Sequence, residues 1–369
     1  MIKSAIKGRD TDKVSFSGKI AIITHLPSHT QNDEEIWSAG QLVAKYGSDK
    51  VIHATWPAFY TQDKEEANNV LSSLAVDGDI KVFIMNKPIP GCNAAVDKLR
   101  AVRNDIFIVY CLLTEPIAES VTRTNLMFSF NGMGMGSAMV KQAKKQGAKV
   151  FVHYSTPRHM ALALIAKRHD IIRETCASEG IQFVSAEVSD PSIDMFNAQQ
   201  FIHDDVPKKT AQFGEDTAFY CTNCFLQVPL ISAVVENHAI YPQPCCPSPY
   251  HGFPEALGVE MPGEEAPALS YVVNESKRII AGKNMTGRLS TWPVPVSMML
   301  THVGAEYAIK WLNGQVQKAE IDDAVLSDCI NTYIKEVSGG DIGVSMTSYS
   351  EGDTAYNNYK LLLMDYLDY

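Results

Sequence analysis

The chain has 369 residues, of which 46% are hydrophobic and 20% are charged, so it can bury a full core, and its length favours two domains. Its formal net charge of −10 disfavours nucleic-acid binding through a large basic face. The sequence contains no apolar run of about 18 residues, which excludes a predicted membrane-spanning helix.

Apolar runs of strand type alternate with helical patterns in the first part of the chain. The predicted strands cover residues 19–24, 50–55, 79–86, 105–113 and 126–130. The stretches between most of them carry apolar residues at helical spacing over about 10–15 residues. This alternation predicts right-handed crossovers and a parallel sheet that is covered by helices on both faces.

A Gly/Met segment follows the fifth predicted strand. Residues 132–136 read GMGMG, and a helix is predicted over 138–146. A phosphate-binding loop has this position between a strand and a helix, but this segment lacks the Lys-Ser/Thr pair of such loops. No acidic residue ends the next strand, where a dinucleotide fold binds ribose. The segment therefore favours close packing at a change of lobe over nucleotide binding.

The same alternation continues in the second half. Strands are predicted over 149–154, 181–187 and 217–221, and helices over 160–179, 194–213, 226–237 and 267–281. Arg168 and Arg173, in the first of these helices, are predicted to lie on a solvated face. Residues 241–254 are rich in Pro and Cys and predict a loop, and 257–260 are interpreted as a further strand.

The last part of the chain is less regular. A short strand over 288–291 precedes a Pro-containing turn, and helices are predicted over 296–312 and 319–337. The Tyr-rich tail, 343–369, is expected to pack along the edge of a lobe. The predicted fold class is α/β, with two doubly wound, Rossmann-like parallel-sheet lobes joined by several crossover segments. The first lobe is predicted to comprise 18–131 plus 293–338, and the second 132–292 plus 339–369.

This arrangement resembles the type I periplasmic-binding-protein fold, which includes ribose-binding-like receptors and the effector domains of Lac-repressor-like regulators. Several stretches also resemble an uncharacterised bacterial family of substrate-binding-like proteins. These stretches are THLPSHTQNDEE at 24–35, FVHYSTPRHM at 151–160, NAQQFI at 197–202, DTAFYCTN at 216–223 and GRLSTWPVP at 287–295. The resemblance covers nearly the whole chain from Gly18.

The resemblance implies a ligand site between the lobes, where the general rule for open parallel sheets also places ligands. The cleft is then expected to be lined by polar and aromatic residues that follow the strands. From the first lobe these are His25, Ser28, Thr30, Trp56, Asn86, Lys87, Glu115 and Asn131; from the second they are Ser155, Arg158, His159, Glu187 and Asn223, with Trp292 at a return crossing. Arg158 can bind a carboxylate or phosphate through two hydrogen bonds.

Four cysteines form the alternative to a purely organic site. Cys221 and Cys224 have Cys-x-x-Cys spacing, and Cys245 and Cys246 follow in the Pro-rich loop, so four thiolates for zinc or a redox pair are conceivable. Against this, adjacent cysteines rarely bind one zinc ion together, and the Cys-x-x-Cys pair lies at a strand end. The sequence therefore favours free thiols near a cleft, with no metal site and no cofactor.

Three functions are consistent with these patterns. The first is a two-lobed binding protein that closes over a small polar ligand, such as a sugar, amino acid or nucleoside, and then contacts a transporter or sensor. The second is a ligand-sensing effector module of a transcriptional regulator that lacks its own DNA-binding domain. The third is a cleft enzyme that uses Glu115, His159 or Glu187 as acid or base. No catalytic residue is predicted, and the first hypothesis is favoured.

Location and assembly follow from weaker signals. The first residues lack the apolar core of a secretion signal, so the chain is expected either in the cytoplasm or, after removal of a leader, as an extracytoplasmic lipoprotein. Lac-repressor-like proteins carry a DNA-binding domain before the first strand, whereas 18 residues precede Lys19 here. Direct binding of nucleic acid is therefore not expected, and the protein is predicted to be a monomer or homodimer.

Overall fold

The computed structural model describes residues 15–27, 31–58, 65–113, 116–261, 266–340 and 342–369. The strands in these ranges are β1 (Lys19–Thr24), β2 (Val51–Thr55), β3 (Ile80–Asn86), β4 (Phe107–Cys111), β5 (Leu126–Phe130), β6 (Val150–Ser155), β7 (Gln182–Glu187), β8 (Thr217–Cys221), β9 (Ser290–Thr291), β10 (Val344–Glu351), β11 (Thr354–Met364) and β12 (Leu367–Asp368).

Helices connect most of the strands, which makes the protein an α/β structure as predicted. They are α1 (Gln31–Tyr46), α2 (Glu65–Ala75), α3 (Cys92–Val102), α4 (Ile117–Ser120), α5 (Gly132–Lys145), α6 (Pro157–Met160), α7 (Ala163–Glu179), α8 (Met195–Phe213), α9 (Gln227–Glu236), α10 (Phe253–Leu257), α11 (Leu269–Gly282), α12 (Val296–Leu312) and α13 (Asp323–Ser338). Among the described residues, no helix combines the length and apolar character needed to cross a bilayer.

The first sheet contains the strands β10-β11-β5-β4-β3-β1-β2 in that spatial order. β1 lies between β2 and β3 and pairs with both in parallel, with Ile22 opposite His53 and Ile84. Both faces of β1 are buried, since Ile20 and Ile22 pack in the core beneath α12 while Ala21 and Ile23 pack in the core on the opposite face. This two-sided burial explains why β1 is a continuous apolar run.

The tail forms part of the first sheet. β11 pairs in parallel with β5, with Leu361 opposite Ser129, and β10 pairs antiparallel with β11 at the sheet edge. The expectation that 339–369 belongs to the second lobe therefore fails for 344–364, and only β12 pairs elsewhere, with β9. The physical reason is that β5 would otherwise expose an unpaired edge, which β11 covers while burying Leu362.

The second sheet has the order β7-β6-β8, and all three strands are parallel. Every residue of β6 is buried, because the strand is central and helices cover both faces. Two single-residue bridges extend this sheet, from Ala218 to Ile240 and from Tyr241 to Leu289.

Three predicted elements differ in their boundaries. α5 begins at Gly132, because the Asn131 side chain accepts a hydrogen bond of 2.9 Å from the Gly134 N–H and caps the helix. The helix predicted over 160–179 begins only at Ala163, as α7, and Met160 ends the separate short helix α6. Residues 257–260 do not form a strand, since Pro254 in the first turn and Gly258, at φ 71°, start and end the short helix α10.

Candidate ligand site between the lobes

A cavity of about 790 Å³ lies between the two sheets and has walls from both. We call it the interlobe pocket. Its first wall comes from the end of β5, the start of α5 and the tail strands, and includes Phe130, Asn131, Gly132, Met133, Tyr349, Tyr359 and Leu361. Its second wall follows β6 and β8 and includes Arg158, His159, Leu162, Leu164, Arg168, Thr222, Asn223, Cys224, Phe225, Cys245 and Cys246.

Helix caps shape the turns that form these walls. Asn131 caps α5 with its side chain, and the Thr156 hydroxyl accepts a hydrogen bond of 3.2 Å from the His159 N–H at the start of α6. Asn223 accepts a hydrogen bond of 2.9 Å from the Phe225 N–H, which starts a short 3₁₀ turn. Each cap follows a strand of a parallel sheet. Asn131 and Asn223, which were expected in the cleft, and Thr156, which was not, therefore fix the backbone of these turns.

Arg158 and His159 line the interlobe pocket, and both have partners in the protein. Arg158 Nε and Nη2 donate to the Asp190 carboxylate, the latter over 3.2 Å, and these bonds hold the pKa of Asp190 well below its usual value. His159 Nδ1 lies 2.9 Å from Thr222 Oγ1. Burial, reinforced by the charge of Arg158, lowers the pKa of His159 and favours its neutral form.

Arg168 contradicts its predicted place on a solvated face. The side chain is only 7% exposed and lines the interlobe pocket, and its guanidinium carbon is 6.0 Å from the centre of the Tyr220 ring. Its Nε has no hydrogen-bond partner among the described residues. A Cβ at Gly136 would lie 3.1 Å from Arg168 Cγ, so α5 approaches α7 closely enough to enclose this arginine. Helical periodicity could not reveal that approach.

His25 and Lys87 lie together near the ends of β1 and β3. His25 Nε2 is 2.9 Å from the Lys87 carbonyl oxygen, and Lys87 Nζ is 2.7 Å from Glu35 Oε1. Burial lowers the pKa of Lys87, but the Glu35 carboxylate outweighs burial and raises it. The ammonium group is therefore charged and paired inside the protein.

Other residues expected in the cleft lie elsewhere. Trp56, Asn86 and Trp292 are buried in the core, where Trp56 Nε1 donates to the Asn86 carbonyl oxygen over 3.0 Å and Thr301 donates to Asn86 Oδ1 over 2.8 Å. These contacts are those of packing residues, and none of the three is among the residues that line the interlobe pocket.

The second sheet accounts for two more expectations. Ser155 is buried at the end of β6, paired in register with Glu187, which is exposed on the edge strand β7. Neither lines the interlobe pocket, so Glu187 is not placed to act there as an acid or base. Ser28, Thr30 and Glu115 lie outside the described residues.

Three cysteines and a histidine form a cluster at one end of the pocket. Cys224 Sγ is 3.4 Å from Cys245 Sγ and 3.9 Å from Cys246 Sγ, and Cys245 Sγ is 3.9 Å from Cys246 Sγ and 3.7 Å from His251 Nε2. Contacts with Cys245, Cys246 and His251 hold the pKa of Cys224 well below its usual value. Cys221 is not part of the cluster. It packs in the core at the end of β8, whereas Cys224 lies beyond the end of that strand.

The sequence alone missed the apolar and aromatic part of the pocket. Tyr349, Tyr359 and Leu361 come from tail strands that were not predicted, and His251 comes from the Pro-rich loop. In β11, Tyr359 and Leu361 are two residues apart, which is strand periodicity. That alternation was the available signal, and the many turn residues before it obscured it.

Known proteins resemble the chain in sequence and in fold. An uncharacterized protein of Treponema pallidum (strain Nichols) is 29% identical over 166 residues, which cover 44% of this chain and 77% of the relative. A crystal structure named "Putative transcriptional regulator" from Clostridium difficile 630 superposes with a TM-score of 0.82 at 19% identity and covers 96% of this chain and 100% of that one.

A sugar ABC transporter structure from Actinomyces odontolyticus ATCC 17982 superposes with a TM-score of 0.54 at 13% identity and covers 83% and 86% of the two chains. These similarities confirm the fold of type I periplasmic-binding proteins, which the sequence was found to resemble. A family model, "Protein of unknown function (DUF3798)", matches residues 18–290. Because this match spans well over half of its length, the chain belongs to the DUF3798 family.

Proposed function

We propose that this protein binds a small organic anion in the interlobe pocket and serves as a two-lobed ligand-binding protein for transport or sensing. The observation that carries the proposal is the state of Arg168. The residue is 7% exposed and lines the pocket, and its Nε has no hydrogen-bond partner among the described residues. Because a buried charge is costly unless it is paired, a carboxylate or phosphate of the ligand is the natural partner.

Arg158 provides the contrast within the same wall. Its guanidinium already donates to Asp190 through two nitrogens, so its charge is neutralised locally. The sequence suggested Arg158 as the residue that binds a carboxylate or phosphate. We assign that role to Arg168 instead. Arg158 instead supports the turn after β6 on which His159 is held.

The start of α5 adds a second attraction for an anion. Asn131, Gly132 and Met133 line the pocket at the N-terminus of this 14-residue helix. The first N–H groups of a helix have no intrahelical acceptor, and the helix dipole places partial positive charge there. Gly132 lies beside the Arg168 guanidinium, since a Cβ at this position would be 3.7 Å from Arg168 Nη1.

The rest of the pocket fits an apolar or aromatic ligand body. Leu162 and Leu164 are 51% and 53% exposed although both are large and apolar, and Phe225 lies exposed on the same side. Tyr359 and Phe130 face them across the cavity. A volume of about 790 Å³ lies within the range of sites for small molecules, which is roughly 300–1,000 Å³.

Two uses of such binding are supported by the similar structures. The structure from Actinomyces odontolyticus is named a sugar ABC transporter, and this supports a role in transport. The structure from Clostridium difficile, which matches over nearly the whole chain, supports a sensing module in gene regulation as the second candidate. Both uses require the same pocket to bind ligand and to change the relation of the lobes.

Thermal unfolding in the presence of matched compounds tests the proposal. The panel pairs carboxylates and phosphates of sugars, amino acids, nucleosides and aromatic acids with their neutral amide or alcohol analogues. We expect stabilisation by anionic members with an apolar body and none by their neutral partners. Stabilisation only by neutral compounds, or by no compound in the panel, would contradict the proposal.

Arg168→Met sharpens the test. Replacing an unpaired buried charge with an apolar side chain should leave the unfolding temperature of the ligand-free protein unchanged or raised, and should remove the stabilisation by anions. Arg173→Met is the matched control, because Arg173 lies on the same helix, pairs with Asp170 over 3.0 Å and is exposed. If the role of Arg168 were purely structural, Arg168→Met would instead lower the unfolding temperature of the ligand-free protein.

A further inference from the structure

Four metal-binding side chains converge beside the interlobe pocket from two separate stretches of the chain. Cys224 follows β8, whereas Cys245, Cys246 and His251 lie in the Pro-rich loop before α10. The ligand atoms of Cys224, Cys245 and His251 all lie within 4.8 Å of one another, and Cys246 Sγ is 3.9 Å from both other sulfurs.

These distances match the edges of a metal-centred tetrahedron. Zinc bound at about 2.3 Å from sulfur and about 2.0 Å from nitrogen holds two sulfurs about 3.8 Å apart and a sulfur and a nitrogen about 3.5 Å apart. The observed separations are 3.4 Å for Cys224 to Cys245 and 3.7 Å for Cys245 to His251. One ion can therefore reach all three atoms with little movement of the side chains.

The objection drawn from the sequence does not apply to this set. Two adjacent cysteines rarely bind one zinc ion, but Cys224, Cys245 and His251 include only one member of the adjacent pair. The Cys-x-x-Cys spacing suggested Cys221 as a ligand. In the structure the third ligand of the set is instead His251, which the sequence pattern did not connect with the cysteines.

The surroundings support a built site. Cys245 and His251 are each 4% exposed, whereas Cys224 and Cys246 are half-buried and line the interlobe pocket with Cys245. The short 3₁₀ turn that begins at Cys224 is capped by Asn223, and prolines flank the Cys245–Cys246 pair on both sides. Ligand positions are thereby fixed by the backbone, and one side of the cluster is open to the cavity.

We propose that Cys224, Cys245 and His251 bind one thiophilic ion of the zinc class, with Cys246 as the nearest further thiolate and an open side toward the interlobe pocket. Thiolate and imidazole together favour zinc over the hard cations calcium and magnesium. This inference does not depend on the organic ligand, because the cluster belongs to the second lobe alone.

Metal analysis of the full chain tests the assignment. The protein is stripped with a chelator under reducing conditions, reloaded with Zn²⁺ or Co²⁺ and freed of excess ion before the metal content is measured. We expect one equivalent of ion per chain, and a Co²⁺ spectrum with the charge-transfer absorption of thiolate ligands. Substoichiometric binding, or a Co²⁺ spectrum without thiolate charge transfer, would overturn the proposal.

Single substitutions identify the ligands. Cys224→Ser and His251→Ala should each lower the affinity for Zn²⁺ by more than about 100-fold, because even loss of an outer-shell partner can cost about 10–100-fold. Cys176→Ala, a buried thiol on α7, is the control and should keep full binding. If Cys246→Ser lost the metal while Cys224→Ser and His251→Ala kept full binding, the ligand set would also be refuted.

A disulfide is the competing chemistry for thiols this close. Measurements of intact mass and of free thiols in the unreduced protein distinguish a disulfide from a metal site. The metal site predicts that all cluster thiols are free when the ion is bound. A Cys224–Cys245 disulfide in the purified protein, together with no uptake of Zn²⁺ after reduction, would exclude the metal site even if Cys224→Ser did not fold.

Discussion

At the scale of single residues, His153 shows how far burial can decide a charge. It lies in the centre of β6, fully buried, with the ring of His169 4.9 Å away and that of Tyr220 5.4 Å away. Burial lowers its pKa to about 3, and the neighbouring His169 and Arg168 act in the same direction. The imidazole is therefore neutral in the folded protein near pH 7.

This depressed pKa predicts a stability change with pH. The unfolded chain binds the proton below its pKa of about 6.5, so the contribution of neutral His153 is complete above that pH and is lost as pH falls toward 3. Between pH 7 and pH 5 the expected loss is about 2 kcal/mol. His153→Leu should remove this part of the pH dependence of the free energy of unfolding, as measured by urea denaturation.

His203→Leu is the matched control, because His203 is exposed on α8. It should leave the pH dependence of unfolding as in the wild type. If His153→Leu and His203→Leu have the same pH dependence, the buried histidine is not the source of the effect.

At the scale of elements, the packing of α5 against α7 encloses Arg168 beside the pocket. Gly136 lies where the helices meet, and a Cβ there would be 3.1 Å from Arg168 Cγ and 3.3 Å from the Arg168 carbonyl oxygen. The Gly/Met segment thus serves close packing, as the sequence indicated, although it is the first turn of a helix and not a loop before one.

Two helical glycines give a test of this packing. Gly136→Ala should lower the free energy of unfolding by about 1–2 kcal/mol, because the added methyl group meets the backbone of α7. Gly40→Ala, on the exposed face of α1 with nothing within 4 Å, should raise it by up to about 1 kcal/mol. Equal stabilisation in both variants, measured by urea denaturation, would show that α5 and α7 do not pack this closely.

The elements also show what sequence periodicity can and cannot predict. β1 and β5 were predicted to the residue, since buried parallel strands are short apolar runs with clear ends. β10 and β11 were missed, because edge and near-edge strands carry polar residues and resemble turns in composition. The position of β11 beside β5 depends on pairing with residues more than 200 positions away along the chain, which local patterns do not encode.

At the scale of the whole molecule, the pocket depends on parts of the chain that are distant in sequence. Asn131, Arg158, His159 and Asn223, which the sequence predicts as ligand residues from their positions after strands, line its walls, and their role in binding stays a prediction. Reasoning from strand ends could not identify Arg168, because this residue lies within a helix and is buried by the packing of a second helix against it. Trp56 directly follows β2 and Asn86 ends β3, yet both side chains lie in the core, where their polar atoms find partners.

The central claim is that Arg168 holds a ligand between the lobes. Isothermal titration calorimetry tests it directly, with the anion that gives the largest thermal stabilisation as the ligand. Wild-type protein, Arg168→Met and Arg173→Met would be compared at one pH and salt concentration. Loss of a charge-assisted hydrogen-bonded contact predicts an affinity about 10–100-fold lower for Arg168→Met, with Arg173→Met equal to wild type. An unchanged affinity in a folded Arg168→Met protein would contradict the claim.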